Sequence, residues 1–201
     1  MNLLVCGVGG QGVLLFSRVV AHLALTMGLD VKMSEVHGMA QRGGSVTSHI
    51  RWGKIVYSPL IEEGTADIVV AFEQLEALRY IHFLAKTGKL FYDPLQIEPL
   101  PVQLGLVEGL SESAVNSRLS ALGCYPVPAF KLACELGEPR IQNTVMLGAI
   151  SHFLEFPISL YQEVLRSLIK SQHLEINLRA LTAGRNIIRP KTKDGSPTSL
   201  G

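Results

Sequence analysis

The spacing of apolar residues changes repeatedly along the chain, and each change marks an element. Residues 3–6, LLVC, form a short continuous apolar run stopped by glycine, the mark of a buried strand. Beyond it, Val13, Phe16, Val20, Leu23, Ala24 and Met27 recur at helical spacing, and Gly28 stands where a helix-closing glycine belongs. DVKMSE (30–35) reads as a second strand, and VHGMAQRGGS (36–45) has too little periodicity for either element. VTSHIRW (46–52) alternates, and Gly53-Lys54 separates it from IVYS (55–58) at the spacing of a tight hairpin. ADIVVAF (66–72) is the strongest buried strand, followed by EQLEALRYIHFLAKTG (73–88) as an amphipathic helix closed by Gly88.

KLFYD (89–93) makes another strand, and Pro94, Pro99 and Pro101 mark a connection. PVQLG (101–105) reads as a further strand and SESAVNSRLSALG (111–123) as a helix. The two prolines of YPVPAF (125–130) restrict it to an edge strand or an extended link. From Ala129 the pattern is helical: AFKLACELG, IQNTVMLGAISHFLEF, SLYQEVLRSLIKS and HLEINLRALTAGRNII. The pattern predicts a three-layer α/β/α fold, with a mostly parallel but mixed sheet, a Rossmann-like N-terminal unit and a helical C-terminal third. Residues 1–187 are expected to form one domain, and the polar tail 188–201 to be disordered.

Composition narrows the function classes. Of 201 residues 47% are hydrophobic and only 17% charged, a bias that points to a partner-covered surface beyond a buried sheet. The net charge of +1 gives no field for nucleic acid. The start MNLL lacks the cationic segment of a secretory signal, and no apolar run is long enough to cross a membrane, so a cytoplasmic protein is expected. Cys6, Cys124 and Cys134 are scattered and form no C-x-x-C, so they read as structural.

Two glycine-rich segments carry the candidate chemistry. Gly7, Gly9 and Gly12 fit G-x-G-x-x-G between a strand and a helix, a turn that can bring backbone amides and a helix start to an anion. Glu35, at the end of the second strand, stands where a ribose-binding acid of a nicotinamide domain would be. Gly10 and Gln11 are additions to that pattern. Three readings stay open here: dinucleotide binding, an anion nest, or glycines that only let the helix pack. In the second segment Arg42, between Gln41 and the pair Gly43-Gly44 with Ser45 following, presents a planar fork suited to a carboxylate or phosphate. Glu35 and His37 precede it within reach. Asp93 reads as a turn residue, and Asn143 as a helix cap or a contact to the first loop.

GVGGQGVLLFSRVVA (7–21) followed by SEVHGMAQRGGSVTSHIRWG (34–53) resembles the gamma-type subunits of 2-oxoacid:ferredoxin oxidoreductases, and is similar to the beta subunit of the indolepyruvate enzymes. The likeness extends to ADIVVAFEQLEALR and to NTVMLGA, where Asn143 and Gly148 fit. The resemblance implies an accessory subunit that binds no cofactor alone. A larger alpha subunit would carry thiamine diphosphate, magnesium and iron–sulfur clusters, and coenzyme A would be a co-substrate. The family reaction is oxidative decarboxylation of a 2-oxoacid, here an aryl pyruvate, to the acyl-CoA with electrons passed to ferredoxin. Gly7, Gly9, Gly10, Gln11 and Gly12 would form an anion- or cofactor-facing loop. Glu35, His37, Gln41, Arg42, Gly43, Gly44, Ser45 and Asn143 would face the active site or partner. No residue is assigned as general acid or base. A free-standing NAD(P)-binding dehydrogenase, a pyruvate- or 2-oxoglutarate-type gamma subunit and a non-catalytic scaffold remain as alternatives, as does a homodimer in isolation.

Overall fold

A computed structural model describes residues 1–37 and 44–188. The chain runs β1 (Asn2–Val8), α1 (Val13–Thr26), β2 (Asp30–His37), β3 (Ser45–Gly53), β4 (Ala66–Ala71), α2 (Gln74–Tyr80) and β5 (Leu84–Tyr92). It continues through α3 (Leu100–Gln103), α4 (Glu112–Ala121), β6 (Tyr125–Pro126), α5 (Ala129–Glu135), α6 (Gln142–Ile150), α7 (Ile158–Leu168) and α8 (Ser171–Ile187). The six strands form one sheet in the order β2-β3-β1-β4-β5-β6. β3 lies antiparallel to both neighbours, and the pairings β1–β4, β4–β5 and β5–β6 are parallel.

Strand alternation sorts the core into two layers. Leu3, Val5, Ile68, Val70 and Phe91 face α1 and the C-terminal helices α5–α8. Leu4, Cys6, Val69, Ala71, Leu90 and Tyr92 face Ala77 of α2 and Val115 and Leu119 of α4. The expected three-layer α/β/α architecture with a mixed sheet is present. α6 and α8 meet through two glycines. A Cβ on Gly148 would lie 2.2 Å from the Leu181 carbonyl oxygen, and one on Gly184 only 1.9 Å from that of Val145.

Four local expectations change. The antiparallel hairpin joins β2 to β3 across the second glycine segment, and residues 55–58 are not a strand. β3 is already paired on both edges, so IVYS has no ladder to join, and the Val56 amide donates to the Asp30 carboxylate at 2.9 Å. The helix expected over 73–88 stops at Tyr80, and after one 3-10 turn β5 begins at Leu84. Gly88 is a strand residue: its missing Cβ lets β5 approach the Ala66 carbonyl (2.7 Å from the ideal Cβ position), beside a register shift. Residues 101–105 contain no strand; α3 is a single helical turn ended by Gly105 at φ 67°. IQNTVMLGAISHFLEF is helical only to Ile150. YPVPAF supplies the two-residue edge strand β6, as its prolines require. The tail from Arg189 lies outside the described residues.

Candidate functional site

The site lies where the sheet changes direction of winding. β1 and β4 are adjacent and parallel, yet α1 leaves β1 for one face and α2 leaves β4 for the other. In open α/β sheets the crevice at such a switch point is where ligands bind. Here side chains of the chain itself bridge it. The Gln11 amide folds back so that its oxygen accepts from the Val8 N–H at 2.7 Å and its nitrogen donates to the Phe72 carbonyl at 2.8 Å. Gln142 donates to the same carbonyl at 2.9 Å and to Asp93 at 2.9 Å. Asp93 also accepts from the amides of Leu95 at 3.0 Å and Phe130 at 2.6 Å. The ends of β1, β4 and β5 are thereby joined by hydrogen-bonded side chains.

Glycine is required in the first loop for two different reasons. Gly10 and Gly12 have φ of 106° and 81°, the left-handed region that other residues enter at a cost. Gly7 has ordinary dihedrals, but a Cβ there would sit 2.9 Å from the Gln11 amide oxygen and 3.0 Å from the Phe72 Cβ. Gly12 is also the residue before α1, which has no side-chain cap. A Cβ on Gly12 would fall 2.6 Å from the Asn143 side-chain nitrogen, which points at the Gly12 carbonyl at 3.4 Å. The Asn143 side-chain oxygen accepts from the Thr144 amide at 2.9 Å. Of the two readings of the sequence, Asn143 fulfils the contact to the loop; it is the second residue of α6, whose N-cap, Ile141, makes no side-chain cap bond.

The two glycine segments meet. The Gly9 amide donates to the Gly44 carbonyl at 2.9 Å, extending the β1–β3 ladder beyond Val8↔Ser45. Ser45 donates its hydroxyl to the Glu76 carboxylate and lies 3.2 Å from the Tyr80 hydroxyl. Gln41, Arg42 and Gly43 lie outside the described residues. Glu35 and His37 are on β2, where Glu35 pairs with Ser48 and His37 with Val46. β3 separates them from β1, so Glu35 is two strand spacings, about 10 Å, from the first loop. A ribose-binding acid needs the neighbouring strand. The topology therefore disfavours the nicotinamide reading.

The sequence reading missed the buried acids. Glu73 and Glu76 are 1% and 3% exposed, and Gln142 is also buried. Glu73 caps α2, its carboxylate accepting from the amides of Leu75 and Glu76. Burial pushes its carboxyl up to about 7, against the pull of those two amides. Burial also raises Glu76, opposed by the Ser45 hydroxyl and by Arg79, whose guanidinium lies 3.0 Å away. Asp93 is raised by burial and held back by its amide donors and Gln142. The only signal in the sequence was the acid at the strand end of AFEQLE, which a surface helix would equally show. Among the described residues no three His, Cys, Asp or Glu side chains converge to hold a metal ion.

A mixed six-strand sheet with a glycine turn bridged at its switch point, and with Gly44 bonded to that turn, defines an α/β domain with a Rossmann-like N-terminal unit. The chain belongs to the pyruvate ferredoxin/flavodoxin oxidoreductase family, whose model matches residues 2–187. It is 37% identical over 193 residues to the indolepyruvate oxidoreductase subunit IorB of Thermococcus kodakarensis, spanning 91% of this chain and 93% of that one. With IorB of Archaeoglobus fulgidus it shares 38% over 190 residues, 92% and 94% of the two chains. In structure it resembles a keto/oxoacid ferredoxin oxidoreductase gamma subunit from Geobacter sulfurreducens (TM-score 0.66, 19% identity, 92% of this chain and 96% of that one). It also matches part of the 2-oxoglutarate:ferredoxin oxidoreductase of Magnetococcus marinus (TM-score 0.71, 22% identity), covering 93% of this chain but 30% of that longer one.

Proposed function

We propose that the chain is the accessory subunit of an indolepyruvate, or other aryl 2-oxoacid, ferredoxin oxidoreductase. The observation that carries this reading is the similarity to IorB subunits along nearly the whole of both chains. A larger partner subunit supplies thiamine diphosphate, magnesium and the iron–sulfur clusters, and the complex converts the 2-oxoacid and coenzyme A to acyl-CoA, with electrons leaving to ferredoxin. Related domains occur within longer polypeptides: the chain matches 36% of the ketoisovalerate oxidoreductase subunit VorA of Methanothermobacter marburgensis at 30% identity. Large apolar side chains exposed between β5 and α4, including Leu100, Leu104, Leu106, Val107 and Leu110, supply surface for a partner.

Within the complex, the first loop and the Glu35–Ser45 segment face the partner or an anionic group beside the shared active site. Arg42 contacts a carboxylate or phosphate. The bond between Gly9 and Gly44, which ties the first loop to the residue just before β3, supports this reading. Affinity purification of the chain from its native extract, followed by assay with aryl pyruvates, pyruvate and 2-oxoglutarate, tests the reading. The expected result is a co-purifying larger subunit and preference for aryl pyruvates. Purification of the chain without any partner, or turnover confined to pyruvate or 2-oxoglutarate, overturns it.

A further inference from the structure

Glu76 is an acid that is buried and outside every role assigned above. It accepts the Ser45 hydroxyl, pairs with Arg79 at 3.0 Å, and gives its amide to Glu73, a second buried carboxylate. Its carbonyl lies 3.7 Å from the Cys6 sulfur, so the group is anchored to the floor of the sheet. Burying Glu76 is costly even with Arg79 beside it, and replacing a buried ion pair by apolar residues of similar volume is often neutral or stabilising. Its presence therefore points to a geometric role, and Ser45 shows which one. Ser45 is the first residue of β3, directly after Gly44, whose carbonyl receives the Gly9 amide.

We propose that Glu76 is a positioning residue which, through the Ser45 hydroxyl, fixes Gly44 and Ser45 where the chain enters β3 and so holds the Gly44 carbonyl on the Gly9 amide of the first glycine loop. The β1–β3 ladder alone ties Gly44 to the sheet by backbone bonds at its end, where ladders fray. A charge-assisted hydrogen bond from the next residue into α2 adds a second, perpendicular tether. Tyr80, 3.2 Å from the Ser45 hydroxyl, closes the same contact from the following helical turn. The latch belongs to this chain alone, so its test needs no partner and stands or falls separately from the proposed function.

Amide hydrogen exchange of the isolated chain, followed residue by residue by NMR, reads it. Ser45→Ala is expected to speed exchange of the Gly9 amide roughly tenfold or more, the loss of one hydrogen bond to a charged acceptor. The Val70 amide, in the middle of β4, should keep its rate. Ser45→Thr, which retains the hydroxyl, should restore slow exchange at Gly9. Glu76→Gln, a weaker acceptor of the same shape, should raise the Gly9 rate several-fold and serves if Ser45→Ala does not fold. An unchanged Gly9 rate in the variants overturns the proposal, as does a rise at Gly9 matched at Val70, which would mean general destabilisation.

Discussion

Gln11 and Gln142, 131 residues apart in sequence, donate to one acceptor, the carbonyl of Phe72, from 2.8 and 2.9 Å. The carbonyl belongs to the residue just after β4, so one atom joins the glycine turn, the central strand and the start of α6. Replacing Gln11 by Leu leaves the Val8 amide without its acceptor and removes one of the two donors. The expected cost is about 1–3 kcal/mol, read as a shift in denaturant midpoint. Because both side chains share an acceptor, Gln11→Leu and Gln142→Leu should be non-additive in a double-mutant cycle, by at least about 0.5 kcal/mol. Strict additivity would refute the bridge.

The interlock of α6 and α8 gives a sharper stability prediction. Ala at Gly184 would bring a methyl to 1.9 Å of the Val145 carbonyl oxygen, and only movement of backbone relieves that contact. Gly184→Ala is expected to destabilise by about 3 kcal/mol or more, at the upper end for overpacking. Gly28→Ala has nothing within 4 Å and suffers only from its φ of 74°, so about 1–2 kcal/mol is expected there. Thermal unfolding of the two variants should rank them in that order.

Glu73 sets a pH dependence whose sign follows from its shift. Its carboxyl rises from 4.5 to about 7 on folding, so between those values the folded chain holds a proton that the unfolded chain has released. Stability from this group is fully present below pH 4.5 and is lost as pH rises through about 7. At about 1.4 kcal/mol per pH unit the loss reaches at most about 3.5 kcal/mol. Glu73→Gln keeps an oxygen to cap α2 and cannot ionise. Its unfolding free energy relative to wild type should therefore improve between pH 5 and pH 8, measured by urea titration at both. An unchanged difference would mean that Glu73 titrates normally.

Gly12 carries both a backbone and a packing demand. Gly12→Ala meets the Asn143 side chain and must hold φ of 81°. Adding Asn143→Ala removes the two shortest contacts, to Nδ2 and Cγ, but not the dihedral cost, so the double variant should recover part of the lost stability. In the assembled enzyme, Arg42→Ala should raise KM for the anionic substrate or for coenzyme A with stability unchanged, since the proposed role is an anion contact. Unchanged steady-state kinetics would end that role.

Nicotinamide titration separates the remaining enzyme class. With β3 inserted between β2 and β1, Glu35 has no path to a ribose held at the first loop. NADH added to the pure chain should show no saturable change in nicotinamide fluorescence. Saturation at micromolar concentrations would restore the dehydrogenase reading.

Periodicity and glycine placement were enough to predict the layers, the glycine turn, the edge strand at Tyr125–Pro126 and the helical end, because each depends on local spacing. The two glycine motifs were enough to suggest the family. They could not say that β3 inserts beside β1, since strand neighbours are chosen by long-range pairing and not by the residues of one strand. The same limit hid the end of α2 at Tyr80: EQLEALRYIHFLAKTG keeps a helical spacing, but pairing with β4 pulls Leu84 onward into the sheet. Asp93 could be assigned to a turn from its proline neighbour, whereas Gln142 as its donor required α6 to fold back over β5. Burial decided the rest. Glu73 and Glu76 look like solvated helix residues in one dimension, and only tertiary burial, with Ser45 and Arg79 on Glu76 and the Leu75 and Glu76 amides on Glu73, makes them acids with raised proton affinities.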